Sequence, residues 1–130
     1  MTDREVDGLI ELLKLDYKDK LQVSVRVAEG VIRLVSLHAA VDATPLTGTS
    51  FMRSLCNIAD AAGLVITLSP ASKGERYSDR SSTTRYKQTS SSSRLEKFYR
   101  RFGFVKNSSS RGYRPDISDS MYRYPKTTAE

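Results

Sequence analysis

Between Leu21 and Ser69 the hydrophobic pattern changes period twice, and that succession leaves few folds open. Leu21, Val23, Val25 and Val27 alternate with Gln22, Ser24 and Arg26, the period of two that buries one face of a strand. Glu29-Gly30 then supplies a hairpin turn. Val31 to Leu37 is apolar at nearly every position except Arg33 and Ser36, which predicts a more central strand covered on both sides. The segment from Ala39 to Thr49 carries Pro45 and Gly48 with no clear period and reads as a loop. Phe51, Met52, Leu55, Ile58, Ala59 and Ala62 recur at helical spacing up to Gly63, a natural helix stop. Leu64 to Ser69 returns as a short buried strand closed by Pro70. A strand, loop, helix and strand in that order predict a right-handed βαβ unit with a parallel pair. The expected class is therefore α/β (α+β), a mixed central sheet flanked by helices.

The flanking segments extend this plan. Thr2-Asp3-Arg4-Glu5 is a capping box, and Val6, Leu9, Ile10 and Leu13 share one helical face, so a first helix is expected to about Leu15. Residues 71–93 hold no apolar periodicity and are rich in Ser and Thr, which predicts a mobile, basic surface loop. Ser93-Arg94-Leu95-Glu96 reads as a second capping box, followed by the stripe Leu95, Phe98, Tyr99 and Phe102 and a stop at Gly103. Phe104-Val105 begins a strand, and Met121 to Tyr124 reads as a final edge strand halted by Pro125. The 130 residues suit one domain, 1–130, without internal repeats.

Composition narrows the setting. No stretch approaches the roughly 20 apolar residues of a membrane span, and Met1 leads into polar residues rather than a signal core, so no membrane role and a cytoplasmic location are expected. The lone Cys56 sits in an apolar helical pattern, fits a reducing compartment, and reads as a buried small hydrophobe rather than a nucleophile. Charge is uneven: residues 1–70 carry a net −2 and residues 71–130 a net +8. A basic half suits a phosphate-bearing cofactor, a nucleic acid or an acidic partner alike.

Two segments carry a family resemblance. Gly48 to Gly63 (GTSFMRSLCNIADAAG), followed by LVITLS, resembles the acetyl-CoA motif of GNAT acetyltransferases, whose pattern is R/Q-x-x-G-x-G/A opening a helix. Leu95 to Phe104 (LEKFYRRFGF) resembles their second hallmark, a helix ending in (L/F)-Y-x-x-x-G-F. Met121 to Pro125 is similar to the last strand of small GNAT-like proteins of phages and mobile elements. The resemblance spans about residues 21–125 and implies a small GNAT-like fold lacking the usual first strand and helix. It also implies acetyl-CoA as cofactor and an N-acetyltransferase that passes acetyl directly to an amine in a ternary complex.

The resemblance assigns residues. Leu46, Thr47, Gly48, Thr49 and Ser50 form the loop whose backbone N–H groups would grip the pyrophosphate at a helix start. Gly48 matches the second glycine of the motif, whereas Leu46 replaces the first and Ala43 stands at the Arg/Gln position, and Pro45 removes a donor; these departures oppose close approach of a phosphate. In the family two parallel strands splay apart, and the cofactor's pantetheine arm pairs with one strand end, here Leu37, His38 and Ala39. Tyr99 matches the tyrosine whose hydroxyl can protonate the departing thiolate; the plain structural alternative is a core aromatic at helical spacing. Ser92 falls where members carry an Asn that caps this helix and contacts the cofactor arm, or is a serine in a polar tract. His38, the only histidine, is the candidate general base against a structural role at a strand end, and Glu29 is a weaker candidate that suits a turn.

A second function class stays open. Arg76, Tyr77, Arg85, Tyr86, Lys87, Arg111, Tyr113 and Arg114 interleave cations with aromatics, a pattern suited to single-stranded nucleic acid. With the eroded phosphate loop this gives the alternative of a catalytically inactive GNAT-like module that binds a protein or a nucleic acid.

Overall fold

The fold is described from a computed structural model over residues 2–40, 44, 46–70, 92–108, 117 and 119–126. The element order is α1 (Asp3–Leu15), β1 (Leu21–Ala28), β2 (Val31–Ala39), α2 (Leu46–Ala62), β3 (Val65–Leu68), α3 (Ser92–Arg100), β4 (Val105–Lys106) and β5 (Met121–Arg123). Five strands form one mixed sheet in the order β1-β2-β3-β5-β4, with β2 and β3 parallel and the other pairs antiparallel. The expected α+β class and the parallel pair are both present.

Local chemistry accounts for most boundaries. Thr2 caps α1, its hydroxyl accepting from the Glu5 amide while the Glu5 carboxylate reaches back to the Thr2 amide. Glu29 and Gly30, both at positive φ (54° and 75°), make the two-residue turn whose twist matches the flanking strands. α2 stops at Gly63 (φ 71°): the Gly63 amide donates to the Asp60 carbonyl and Leu64 to Ala59, satisfying the last carbonyls of the helix.

Residue parity shows where the core lies. Leu21 and Val23 of β1, Ile32 and Leu34 of β2, Ile66 and Leu68 of β3 and Met121 of β5 point to one face and pack with Val6 and Ile10 of α1, Phe51, Met52 and Leu55 of α2 and Tyr99 of α3. The described helices therefore cover a single face, not both. The other face carries Gln22, Ser24, Arg26, Arg33, Thr67 and Tyr122. No helix among the described residues is long and apolar enough to cross a membrane.

Four expectations are corrected. Leu46 to Ser50 are the first turns of α2 rather than a loop, because a proline and small polar residues suit a helix start as well as a loop. β5 lies between β3 and β4 instead of at the sheet edge; Pro125 falls beyond the strand and leaves its amides free to pair on both sides. Ser93 is inside α3, which begins one residue earlier, and Glu96 pairs with Lys106 at 3.5 Å. Val31 to Leu37 has no helix over its second face among the described residues, and Arg33 and Val35 are exposed there. Its apolar run comes from a β-bulge: Val25 pairs with Leu34 and Ser24 with Ser36, so Val35 has no counterpart in β1 and the inward face shifts from Ile32 and Leu34 to Leu37 and Ala39.

Candidate functional site

The bulge sets up the end of β2 as a distinct surface. β2 pairs with β1 along its length to Ala39, but its pairing with β3 runs only from Val31↔Val65 to Leu34↔Leu68. Beyond Leu34, among the described residues, no strand lies against β2 on the β3 side. An extra residue in one strand bends that strand and increases its twist, and β3 itself ends at Leu68, opposite Leu34. Leu37 and Ala39 face the core, and His38 faces the other way beside Gln22. His38 is partly buried, and Glu29 is exposed in the hairpin turn.

The chain leaves this strand end and enters α2. Thr47 donates its amide to the Thr44 carbonyl at 3.1 Å, and the two threonine hydroxyls are 3.1 Å apart, so the start of the helix is internally bonded. Leu46 is 73% exposed. The Ser50 hydroxyl is 2.7 Å from the Tyr17 hydroxyl, and Tyr17 packs edge-on against Phe51. The predicted phosphate loop is thus a helical turn with the Thr47 amide and the Thr47 and Ser50 hydroxyls already engaged. Ala43 and Pro45 lie outside the described residues.

Gly48 links this turn to α3. A Cβ at Gly48 would sit 3.6 Å from the tip of the Phe98 ring, an ordinary van der Waals contact, so Phe98 lies against α2 at this turn. Phe98 in turn meets Tyr99 and Phe102 edge-on, and Tyr99 meets Phe104 with ring centroids 5.8 Å apart. Tyr99 is 6% exposed, and burial alone pushes its phenol up to about 12, so the hydroxyl keeps its proton at every ordinary pH. The structure therefore brings Gly48 and the helix of Tyr99 together, while His38 and Tyr99 lie on opposite sides of the sheet. Ser92 opens α3.

Arg94, Lys97, Arg100 and Arg101 are exposed on or just after α3 and make its outer side basic. A different group of charges fixes the far end. Arg123 donates its guanidinium nitrogens to both Asp60 oxygens at 2.9 and 3.0 Å and its Nε to the Phe102 carbonyl, tying β5, α2 and the end of α3 together. On the other face of the sheet the buried Asp119 takes Arg33 at 3.1 Å and the Ser69 hydroxyl at 2.9 Å.

Sequence reasoning missed Val35, Tyr17 and Arg123 and took Phe98 only as part of an apolar stripe. Val35 left a signal in the parity change along β2, and Tyr17 continues the spacing of Leu13. Nothing local marks Arg123 as buried. The interleaved cations and aromatics from Arg76 to Lys87 and from Arg111 to Arg114, and the predicted loop apart from its last two residues, lie outside the described residues. Compared with known proteins, the chain matches no family model, no curated protein and no solved structure.

Proposed function

We propose that the chain is a small GNAT-like N-acetyltransferase that holds acetyl-CoA between the end of β2 and the start of α2, in a cytoplasmic setting that keeps Cys56 reduced. The observation that carries this reading is the unequal length of the parallel pair: β3 stops at Leu68 while β2 continues through a bulge to Ala39 with no strand on that side among the described residues, and Gly48 of α2 lies against Phe98 of the Tyr99 helix. A splay between two parallel strands is what the family resemblance leads one to expect at Leu37, His38 and Ala39.

The residues fit the cofactor unequally. The backbone of Leu37 to Ala39 offers alternating donors and acceptors to an extended amide arm. The start of α2 offers N–H groups and the positive end of a helix dipole to a pyrophosphate, and the basic side of α3 adds attraction for phosphates. Acetyl-CoA supplies an activated acyl carbon. Tyr99 holds a proton near the gap and donates a hydrogen bond where negative charge develops at sulfur. With its phenol at about 12 and an ordinary thiol near 8.5, full proton transfer is uphill by about 5 kcal/mol, so the donated hydrogen bond is the greater part of its effect. His38, on the opposite face, takes the amine proton directly or through water. The acceptor is an amine.

One observation favours the second reading, an inactive binding module for a protein or nucleic acid. Leu46 projects from the turn that should admit a pyrophosphate, and the Thr44–Thr47 and Tyr17–Ser50 bonds already close that turn. Calorimetric titration with acetyl-CoA separates the two. Saturable one-to-one binding is expected under the first reading, and no heat at millimolar cofactor leaves only the second.

A further inference from the structure

Helix α3 separates its apolar residues from its cations. At about 100° per residue Leu95, Phe98 and Tyr99 share one side, which packs against the core. Arg94, Lys97 and Arg100, at i, i+3 and i+6, fall on the opposite side, and all three are exposed. Arg101, in the turn that follows, is exposed as well. Acids are scarce around them. From Arg80 to Pro115 ten Lys and Arg stand against one acidic residue, Glu96, which pairs with Lys106 at 3.5 Å. Elsewhere cations meet carboxylates: Lys14 meets Glu11, Arg33 meets Asp119 and Arg123 meets Asp60. Lys97, Arg100 and Arg101 have none beside them among the described residues. Like charges three apart on a helix destabilise it. The helix dipole accounts for Lys97 and Arg100 in the last turn, but Arg94 in the first turn opposes it.

We propose that this side of α3 docks on the phosphate backbone of duplex DNA, without regard to sequence. The rise from Arg94 to Arg100 is about 9 Å, the length of about three phosphates along one strand. Guanidinium groups match phosphate oxygens in pairs, and each neutralised phosphate releases a condensed counterion. None of the large exposed hydrophobics lies on α3, whereas a protein partner is held by apolar and aromatic anchors at the centre of the contact. The rings of Phe98 and Tyr99 belong to the packed side, so unpaired bases find no stacking platform on the cationic one. That sets this surface apart from a single-strand site. Arg and Lys offer donors only, which gives them little hold on the 2′-hydroxyl contacts by which duplex RNA is recognised. None of this depends on the acetyltransferase reading.

Fluorescence anisotropy of a labelled DNA duplex of about 20 base pairs, titrated with the intact chain between about 50 and 200 mM salt, tests the docking. Saturable binding is expected, with log affinity falling against log salt at a slope of about −3 or steeper. Lys97→Gln with Arg100→Gln should weaken binding at least about tenfold at about 50 mM salt and reduce the slope by about two. Its melting temperature should stay within a few degrees of the native chain, since glutamine suits an exposed helix position. Arg4→Gln with Lys18→Gln removes the same charge from exposed positions in and after α1, which packs on β1, whereas α3 meets β4 at the opposite edge of the sheet. At that distance the charges are screened, and affinity should change less than about threefold. The same sequence as a single strand should bind more weakly, because its charge density is lower. No binding at about 50 mM salt, or equal losses from the two double variants, would overturn the proposal. So would a single strand, an RNA duplex or a polyglutamate of equal charge bound more tightly than the DNA duplex.

Discussion

Tyr99 shows how one residue can satisfy both packing and chemistry. Its ring is core, held edge-on by Phe98 and Phe104, and burial of the phenol keeps the proton on. Tyr99→Phe retains the ring and removes only the donor. Under the proposed function, loss of this hydrogen-bond donor should lower turnover by about 100-fold to 1,000-fold with acetyl-CoA affinity nearly unchanged. A purely structural tyrosine gives unchanged turnover in the same assay. Asp60 offers an independent test of the far end of the molecule. Burial raises its pKa, but the Arg123 guanidinium and the Lys126 amide outweigh that and hold it below the ordinary carboxylate value. A depressed carboxyl stabilises the fold fully above its unfolded pKa, about 3.9, and that stability is lost as pH falls through the folded value. The stability gap between the native chain and Asp60→Asn in urea should thus be constant above about pH 5 and close below about pH 4. Residues of the first kind are legible in sequence, since Tyr99 stands in a helical stripe ahead of a glycine stop. Arg123 is not, because its burial depends on Asp60, 63 positions away.

At the scale of elements, periodicity located α1, the β1–β2 hairpin, α2 and the parallel β3 because each follows from contacts along the chain or between neighbours. It failed where one residue changes parity. An unbroken alternation through β2 would put Val35 in the place of Ser36; the bulge adds that one residue and turns Leu37 and Ala39 inward. Deleting Val35 restores strict alternation, with Ile32, Leu34, Leu37 and Ala39 all inward. The fold should survive with a melting temperature within a few degrees of the native chain, since no apolar residue changes face. The strand end should then lose its bend, and acetyl-CoA affinity should fall at least about tenfold if the bent strand end holds the cofactor. Equal affinity in the deletion variant sinks the gap as the binding site, while a collapse in stability shows that the bulge is needed for folding. β5 was misplaced for a related reason: three residues are too few to show an alternation, and partners on both sides come from distant sequence.

For the whole molecule, the question is whether its uneven charge serves a shaped site or a long polyanion. Residues 71–130 carry a net +8, and within the described part the exposed cations of α3 lie on the helix that bears Tyr99. Both acetyl-CoA and single-stranded DNA would be drawn to such a surface, but salt separates them. A nonspecific polyanion complex rests on counterion release and loses about 1,000-fold or more in affinity between about 50 and 200 mM salt. A ligand seated against the backbone of β2 and the start of α2 keeps the contacts that are not ionic. Binding to the folded state alone stabilises by about 2.7 kcal/mol at a ligand concentration of about 100 times the dissociation constant. For a chain of this size that corresponds to a rise in melting temperature of about 10 °C. The expected outcome at about 200 mM salt is such a rise with acetyl-CoA and none with an oligo-thymidine at equal phosphate concentration. A shift with the oligonucleotide at low salt that disappears at high salt, without any response to acetyl-CoA, assigns the basic half to nucleic acid and removes the acetyltransferase reading.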